Sequence, residues 1–184
     1  MIKSVKSSFI SLDVKICRSI YQYSEKYYVD RLMYYFSKSA DGVWYFFLGL
    51  FIVLYNFKIG TKFSLIVLIA FVLEIALQKL IKLFVKRERP GWVIDGISFL
   101  INPPDKFSFP SGHTAGAFLI STAFVFFFPE ISPLFIFWAF FVGISRIYNG
   151  VHYPSDVLAG AFLGVFSFYT ILKIYLLLFL SPFI

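Results

Sequence analysis

Residues 108–128 read SFPSGHTAGAFLISTAFVFFF. The apolar run fits a buried or membrane-spanning helix, and Pro110 and Ser111 are ordinary residues at a helix N-terminus. Starting a helix does not require Gly112 or His113, and His113 is one of only two histidines in the chain. Glycine lets a backbone N–H approach an anion closely at the positive end of a helix. The stretch therefore indicates a binding site, with a capped helix start and an idle histidine as the alternative.

The composition around this stretch predicts an integral membrane protein. Of the 184 residues, 59% are hydrophobic, 22% are aromatic and only 15% are charged, which is far more apolar than a soluble domain. The net charge of +7 could serve nucleic acid or an anionic bilayer, and its concentration among aromatic residues before residue 41 favours the bilayer. Without a linker or repeat, residues 1–184 are expected to form one domain. Cys17 stands alone, so no internal disulfide is expected.

Five segments are apolar and long enough to cross a bilayer, and the fold class is therefore an all-α polytopic transmembrane helical bundle over residues 42–184. These segments lie near residues 42–58, 63–85, 113–129, 131–149 and 156–180. The N-terminal part, residues 1–41, differs, because apolar residues recur at helical spacing between charged ones over residues 8–37. We expect an amphipathic helix in the membrane interface there, with a sixth, tilted span as the alternative. No signal peptide precedes it, so insertion is expected through the chain's own spans.

Connecting five spans in order places three polar clusters on one face of the membrane. They are KLFVKRERP at residues 82–90, PSGH at 110–113 and SRIYNGVHYPSD at 145–156. In the first cluster, Lys82 and Arg89 lie nearly on one helix face before the helix-ending Pro90, although basic residues at a helix end also serve as membrane anchors. In the third, a carboxylate one turn after His152 can accept its Nδ1 proton and leave Nε2 free as a nucleophile or base. The alternative is that Asp156 only caps the last helix.

The spacing Lys82-x6-Arg89-Pro90, Pro110-Ser111-Gly112-His113 and Ser145-Arg146-x5-His152-x3-Asp156 resembles the complete three-part signature of the type 2 phosphatidic acid phosphatase family. That family includes integral-membrane lipid phosphatases, with soluble acid phosphatases and vanadium haloperoxidases as relatives. The resemblance implies that His152 attacks phosphorus, that Asp156 supports its ring, and that His113 is the general acid and then the base. It also implies a set of groups that hold the phosphate oxygens: Lys82, Arg89, Ser111, Gly112 and Arg146. Lys86 and Arg87 fall outside the signature and are expected to contribute far less.

Basic side chains at the site argue against a metal, because they repel a divalent cation and already neutralise phosphate. We therefore expect no cofactor and no metal. The expected partners are a membrane lipid phosphate or diphosphate and the bilayer, with no nucleic acid and no obligatory protein partner. A phosphotransferase that uses a hydroxyl acceptor, and a non-catalytic lipid-phosphate binder or transporter, are the alternatives.

Expectations for the substrate and for the membrane side of the site come from the resemblance and from the distribution of charge. Bacterial members that this chain resembles act on phosphatidylglycerol phosphate, undecaprenyl diphosphate or the 1-phosphate of lipid A, and the loop of residues 91–109 is expected to shape the choice. Trp92, Phe107 and Phe109 are expected beside the site. The resemblance implies a cell (inner) membrane protein whose site faces the periplasm or exterior, whereas the count of basic residues favours the cytoplasm. Glu74 and Gln78 lie one turn apart inside a span. They are expected either to have a structural partner, such as a lysine of the same helix, or to contact the substrate.

Overall fold

The computed structural model describes residues 2–103 and 105–179, with side chains from residue 11 onward. The described residues form helices and no strand, which confirms the expected all-α class. In chain order the helices are α1 (Ile2–Tyr21), α2 (Tyr27–Lys38), α3 (Gly42–Tyr55), α4 (Phe57–Val85), α5 (Pro90–Val93), α6 (Gly112–Phe127), α7 (Ser132–Tyr148) and α8 (Pro154–Phe179).

The expected spans correspond to α3, α4, α6, α7 and α8. By length and composition, two stretches can cross a membrane, Phe57–Val93 and Pro154–Phe179, and α2 with α3 forms a third candidate bent by 62°. Helices α6 and α7 are apolar but shorter, with 16 and 17 residues. The bundle is therefore helical and apolar, while the count of five spans stays a prediction. The expected end of the last span, at residue 180, lies outside the described residues.

The N-terminal segment is two helices and not the single helix expected over residues 8–37. The break falls where the backbone amides of Tyr23 and Ser24 turn back onto the carbonyls of Ile20 and Tyr21. Glu25 then adopts a left-handed conformation, with φ of 68°, which does not continue a helix. Helix α2 packs against α7 with part of its surface buried, so this segment belongs to the packed bundle. Its position in the membrane interface stays a prediction.

The α3–α4 hairpin is fixed by local sequence. The side chain of Asn56 accepts a hydrogen bond from the Ile59 amide at 3.1 Å, which caps the start of α4. Gly60 permits the close approach of the two helices, because a Cβ there would lie 2.6 Å from the Val53 nitrogen. At its other end α4 stops at Lys86, which adopts the left-handed conformation with φ of 48°.

Helix α6 is the centre of the bundle and contacts α4, α7 and α8. Its residues from Thr114 to Phe124 are mostly buried, and small residues let its neighbours approach. A Cβ at Gly164 of α8 would lie 2.9 Å from the Leu119 nitrogen of α6. The same interface brings the two helix starts together, because the Ser111 amide donates to the Asp156 carbonyl at 3.0 Å. Packing of α6 on α8 thus joins two of the polar clusters.

Candidate active site

The three polar clusters predicted from the sequence meet at one end of the bundle. Each predicted site residue lies at or near a helix end: Lys82 in the last turn of α4, Arg89 before α5, Ser111, Gly112 and His113 at the start of α6, Arg146 in the last turn of α7, His152 in the next loop and Asp156 in the first turn of α8. Lys82, Arg89, Gly112, His113 and His152 line one cavity of about 500 Å³, and Arg146 and His113 line an adjoining one of about 440 Å³.

His152 is buried, and its Nε2 atom faces a guanidinium group. Arg89 Nη1 lies 3.3 Å from that nitrogen and also donates to the Val151 carbonyl at 2.8 Å. Because arginine can only donate, Nε2 of His152 is the unprotonated nitrogen in this arrangement. Burial lowers the pKa of His152 well below its ordinary value, and the nearby charges of Arg146, Arg89 and Lys82 lower it further. The ring is therefore neutral at neutral pH, with a lone pair on Nε2.

Asp156 lies beside the other ring nitrogen of His152, as the sequence predicted, but without a hydrogen bond. The distance from His152 Nδ1 to Asp156 Oδ2 is 3.6 Å, and Nδ1 has no hydrogen-bond partner. The same carboxylate oxygen accepts a hydrogen bond from the Tyr153 amide at 2.8 Å. The carboxylate is completely buried. It is therefore placed to support positive charge on the ring, and a small shift would form the hydrogen bond.

Arg146 brings a second guanidinium to the site with most of its donors unused. The side chain is buried, and its Nη1 atom donates to the hydroxyl of Ser37 on α2. Its Nε and Nη2 atoms are buried without any hydrogen-bond partner. Leaving donors of a buried guanidinium unpaired is costly, so their arrangement fits an anion with several acceptor oxygens.

Ser111 and Gly112 form the start of α6 next to the cations. The Ser111 hydroxyl is buried and lies 2.9 Å from the hydroxyl of Thr114. Gly112 packs against the side-chain amide of Gln78, where a Cβ would overlap the Nε2 atom. The backbone amides at this N-terminus carry the positive end of the helix dipole, which favours an anion.

His113 is held by a carboxylate that the sequence analysis did not single out. Its Nε2 atom lies 2.9 Å from Oδ1 of Asp41, which precedes α3. Burial alone would raise the pKa of Asp41, but hydrogen bonds to His113 and Lys38 lower it below its ordinary value. Asp41 is therefore ionised at neutral pH, and its carboxylate accepts a hydrogen bond from His113 when Nε2 carries a proton, which fixes the orientation of the ring.

Lys82 and Arg89 share a carboxylate from the loop before α6. Lys82 Nζ lies 2.7 Å from Asp105 Oδ2, and Arg89 Nη2 lies 2.7 Å from Asp105 Oδ1. Burial opposes ionisation of Asp105, but its pairing with Lys82 and Arg89 outweighs that effect and lowers its pKa. The two oxygens of Asp105 hold the cations as two oxygens of a phosphate would.

Arg87, which the sequence predicts to contribute far less than the signature residues, contacts the predicted site residue Asp156. Its Nη1 atom donates to Asp156 Oδ1 at 2.8 Å and to the Ser155 hydroxyl at 2.6 Å, while Nη2 donates to Asp13 Oδ2 at 2.6 Å. Its guanidinium also lies over the ring of Tyr153, 3.7 Å from the centroid. The connector after α4 turns in the left-handed conformation at residue 86, and this turn directs Arg87 inward. Lys86 itself is exposed.

The aromatic residues expected beside the site are divided between different surfaces. Trp92 is half exposed and packs edge-on against Phe99, a residue that lines the cavity of Arg146. Phe109 lines a separate apolar groove between α4 and α8. The ring of Phe107 lies under the ammonium group of Lys106, 6.0 Å from it, and lines neither of the two cavities that contain predicted site residues.

Sequence reasoning missed the partners that approach from the N-terminal segment and the loop. They are Asp13, Ser37, Asp41, Arg87 and Asp105. Asp41 directly precedes an apolar segment and Asp105 lies in the loop before another, both on the predicted site face, so a carboxylate near a cation cluster was the available signal. Asp13 and Ser37 gave no signal, because their positions follow from how α1 and α2 fold back on the bundle. No group of three or more His, Cys, Asp or Glu that could hold a metal occurs in the described parts of the chain.

Comparison with known proteins identifies the family of this chain. The profile of the PAP2 superfamily matches residues 63–179. The chain is 37% identical over 163 residues to the bacitracin transport permease protein BcrC of Bacillus licheniformis, covering 87% of this chain and 79% of the relative. It is 43% identical over 101 residues to a lipid A 1-phosphatase of Rhizobium etli, covering 51% of this chain and 43% of that protein. The crystal structure of Aquifex aeolicus LpxE superposes with a TM-score of 0.77 at 30% identity, covering 88% and 95% of the two chains.

An apolar helical bundle with this cation and histidine cluster, and with relatives named as phosphatases, defines an integral-membrane lipid phosphate hydrolase. The matches cover most of the chain and include all three polar clusters. The chain belongs to the PAP2 superfamily.

Proposed function

We propose that this protein removes a phosphate from a membrane lipid phosphate or diphosphate through a phosphohistidine on His152, without a metal ion. The observation that carries the proposal is the buried Arg146, whose unpartnered Nε and Nη2 donors lie in the same site as the unprotonated Nε2 of a neutral His152. A tetrahedral dianion between these groups would receive donors that the protein leaves unused.

In the first step, Nε2 of His152 attacks phosphorus, so that an N–P bond forms as the bond from phosphorus to the lipid oxygen breaks. The leaving oxygen takes a proton from His113, which Asp41 holds. Positive charge that develops on the His152 ring is stabilised by Asp156, 3.6 Å from Nδ1. In the second step, water attacks phosphorus, His113 takes its proton, the N–P bond breaks and inorganic phosphate leaves.

The cations supply positioning and charge stabilisation, which are most of what phosphoryl transfer requires. Lys82 and Arg89 would exchange the Asp105 carboxylate for phosphate oxygens, and Arg146 would hold others with its planar fork. Ser111 and the Gly112 amide lie at the adjoining helix start and would complete the set. Three neighbouring cations neutralise the phosphate, so the mechanism needs no divalent ion.

We also propose that residues 1–184 form one domain with five spans in the inner membrane, and that the site lies on the periplasmic or outer face. The exposed apolar surfaces of α3, α4, α7 and α8 support the spans, and the meeting of all three clusters at one end of the bundle supports a single site face. Thiol labelling of the single-cysteine variants Lys58→Cys and Lys106→Cys, each in a Cys17→Ser background, tests the sidedness. The cysteine introduced at position 106 should react with a membrane-impermeant reagent in intact cells, and the cysteine introduced at position 58 should not.

The activity is tested with purified protein in detergent and a panel of lipid phosphates and diphosphates, with and without acceptor alcohols. Release of inorganic phosphate that is lost in His152→Ala, and that does not fall when alcohol is added, supports the hydrolase. Transfer of phosphate to the alcohol in preference to water would identify a phosphotransferase. Binding without turnover would identify a lipid-phosphate binder and overturn the proposal.

A further inference from the structure

A polar face of α4 extends from the phosphate site toward the middle of the bundle. Glu74, Gln78 and Lys82 occupy successive turns of the helix, and all of them line the cavity that contains His152. At about 1.5 Å per residue, Glu74 lies roughly 12 Å along the helix axis from Lys82. The cavity wall is therefore polar well beyond the distance that a phosphate covers.

Two polar atoms that line this cavity, one on α4 and one on α3, are buried without a protein partner. Glu74 is 2% exposed, and neither its Oε1 atom nor the hydroxyl oxygen of Tyr45 has a hydrogen-bond partner. The Tyr45 ring stacks on Phe71 with centroids 5.0 Å apart, which fixes the position of the hydroxyl. Burying an unsatisfied polar group of this kind is costly, and ionisable groups inside a membrane are usually functional. A structural ion pair between Glu74 and a lysine of α4 does not account for the unpaired oxygen.

The opposite wall of the cavity keeps space next to these groups. Gly112 and Gly116 lie one turn apart on α6 and line the same cavity. A Cβ at Gly116 would lie 3.1 Å from the Tyr45 hydroxyl oxygen, and one at Gly112 would overlap the Gln78 amide. Side chains at these two positions would narrow the cavity at the level of the polar face of α4.

We propose that Glu74 and Tyr45 bind a hydrogen-bonding group in the leaving group of the substrate. A glycerolipid phosphate offers an ester or hydroxyl there, a glycolipid phosphate offers an amide or hydroxyl, and a lipid diphosphate offers its second phosphate. The monophosphate of a simple alkyl alcohol offers none of these groups and would bury both polar atoms against hydrocarbon. This inference rests on the proposed lipid phosphatase activity and assigns two residues that recognise the leaving group.

The test compares two phosphate monoesters that differ in the leaving group. Dioleoyl phosphatidic acid carries ester groups below the phosphate, whereas oleyl phosphate carries only an alkyl chain. The measured quantity is the ratio of kcat/KM for the first to kcat/KM for the second. Glu74→Leu should lower this ratio about 10-fold and Tyr45→Phe about 5-fold, as expected for loss of a buried hydrogen bond.

Matched variants separate binding from structure. Glu74→Gln keeps hydrogen-bonding capacity and should keep the ratio within about 3-fold of the wild type. Tyr55→Phe removes an exposed hydroxyl at the far end of α3 and should leave the ratio unchanged. If Glu74→Leu does not fold, Tyr45→Phe still decides, because phenylalanine keeps the ring stacking on Phe71.

The outcomes also separate this inference from the proposed function. Equal losses on both substrates, or no change of the ratio in either variant, would overturn the inference while the phosphatase activity stands. Absence of turnover on every lipid phosphate would instead remove the proposed function.

Discussion

Replacing Arg87 with Gln breaks the ion pair that holds Asp156, the carboxylate proposed to support His152, and should slow turnover. Arg87 Nη1 lies 2.8 Å from Oδ1 of Asp156, whose side chain is completely buried, while the Arg87 side chain is 22% exposed. Breaking a buried ion pair costs about 3–5 kcal/mol. If about 2 kcal/mol of this appears in the activation barrier, kcat falls roughly 30-fold. Lys86→Asn is the matched control, since Lys86 is exposed and asparagine tolerates its left-handed backbone.

The pH dependence of kcat/KM distinguishes this electrostatic role of Arg87 from a packing role. His152 must be neutral to attack, so activity falls as the pH drops through its pKa, which burial and the charges of Arg146, Arg89, Lys82 and His113 hold well below the ordinary value. Arg87→Gln leaves the charge of Asp156 uncompensated, raises the pKa of His152 and moves the acid limb to higher pH.

Asp13→Asn should move the same acid limb in the opposite direction. Asp13 Oδ2 accepts a hydrogen bond from Arg87 at 2.6 Å, and its loss leaves the positive charge of Arg87 to act on Asp156 alone. The pKa of His152 then falls, and the limb moves to lower pH. Stopped assays of phosphate release between about pH 4 and pH 9 measure both variants beside Lys86→Asn. Unchanged kcat in Arg87→Gln, or limbs that shift in the same direction in both variants, would refute the reasoning.

Three further predictions concern the phosphate site. Arg146→Lys keeps the charge but replaces a planar guanidinium by a point charge. The value of kcat/KM should fall, and the inhibition constant of vanadate should rise, each by at least about 10-fold. Wild-type values of both would show that Arg146 does not hold the phosphate oxygens. EDTA should leave activity unchanged, and activity that is lost in EDTA and restored by one divalent ion would contradict the metal-free mechanism. Asp105→Asn removes the carboxylate that competes with phosphate for Lys82 and Arg89, so the inhibition constants of phosphate and vanadate should fall severalfold. Weaker inhibition would instead show that Asp105 positions the two cations.

The signature residues could be placed from the sequence because their positions follow from connectivity. Alternating spans bring the ends of α4 and α7 to the starts of α6 and α8, and each cluster is contained in one such end. His152 and Asp156 lie next to each other because they are four residues apart at a helix start. Sequence spacing does not predict the distance of 3.6 Å between His152 Nδ1 and Asp156 Oδ2, because that distance depends on the hydrogen bond that the Tyr153 amide donates to the same oxygen.

The remaining partners depend on tertiary packing that periodicity does not report. The break before α2 lets α1 and α2 fold separately onto the bundle, which brings Asp13 to Arg87 and Ser37 to Arg146. Nothing in the charged pattern of residues 8–37 distinguishes a carboxylate in contact with Arg87 from one at the membrane surface. Arg87 was assigned to the helix end by sequence, and only the turn at Lys86 directs it toward Asp156.

The central claim is a covalent phosphoryl group on His152, and trapping it is the most direct test. Wild-type protein and the His113→Ala and His152→Ala variants are mixed with a ³²P-labelled lipid phosphate, quenched at alkaline pH and analysed by peptide mass spectrometry. Phosphohistidine should appear on His152 in the wild type and be absent from His152→Ala. In His113→Ala it should form more slowly, because the leaving oxygen lacks its acid, and decay more slowly, because water is no longer activated. Label on His113, or sustained turnover in His152→Ala, would contradict the mechanism.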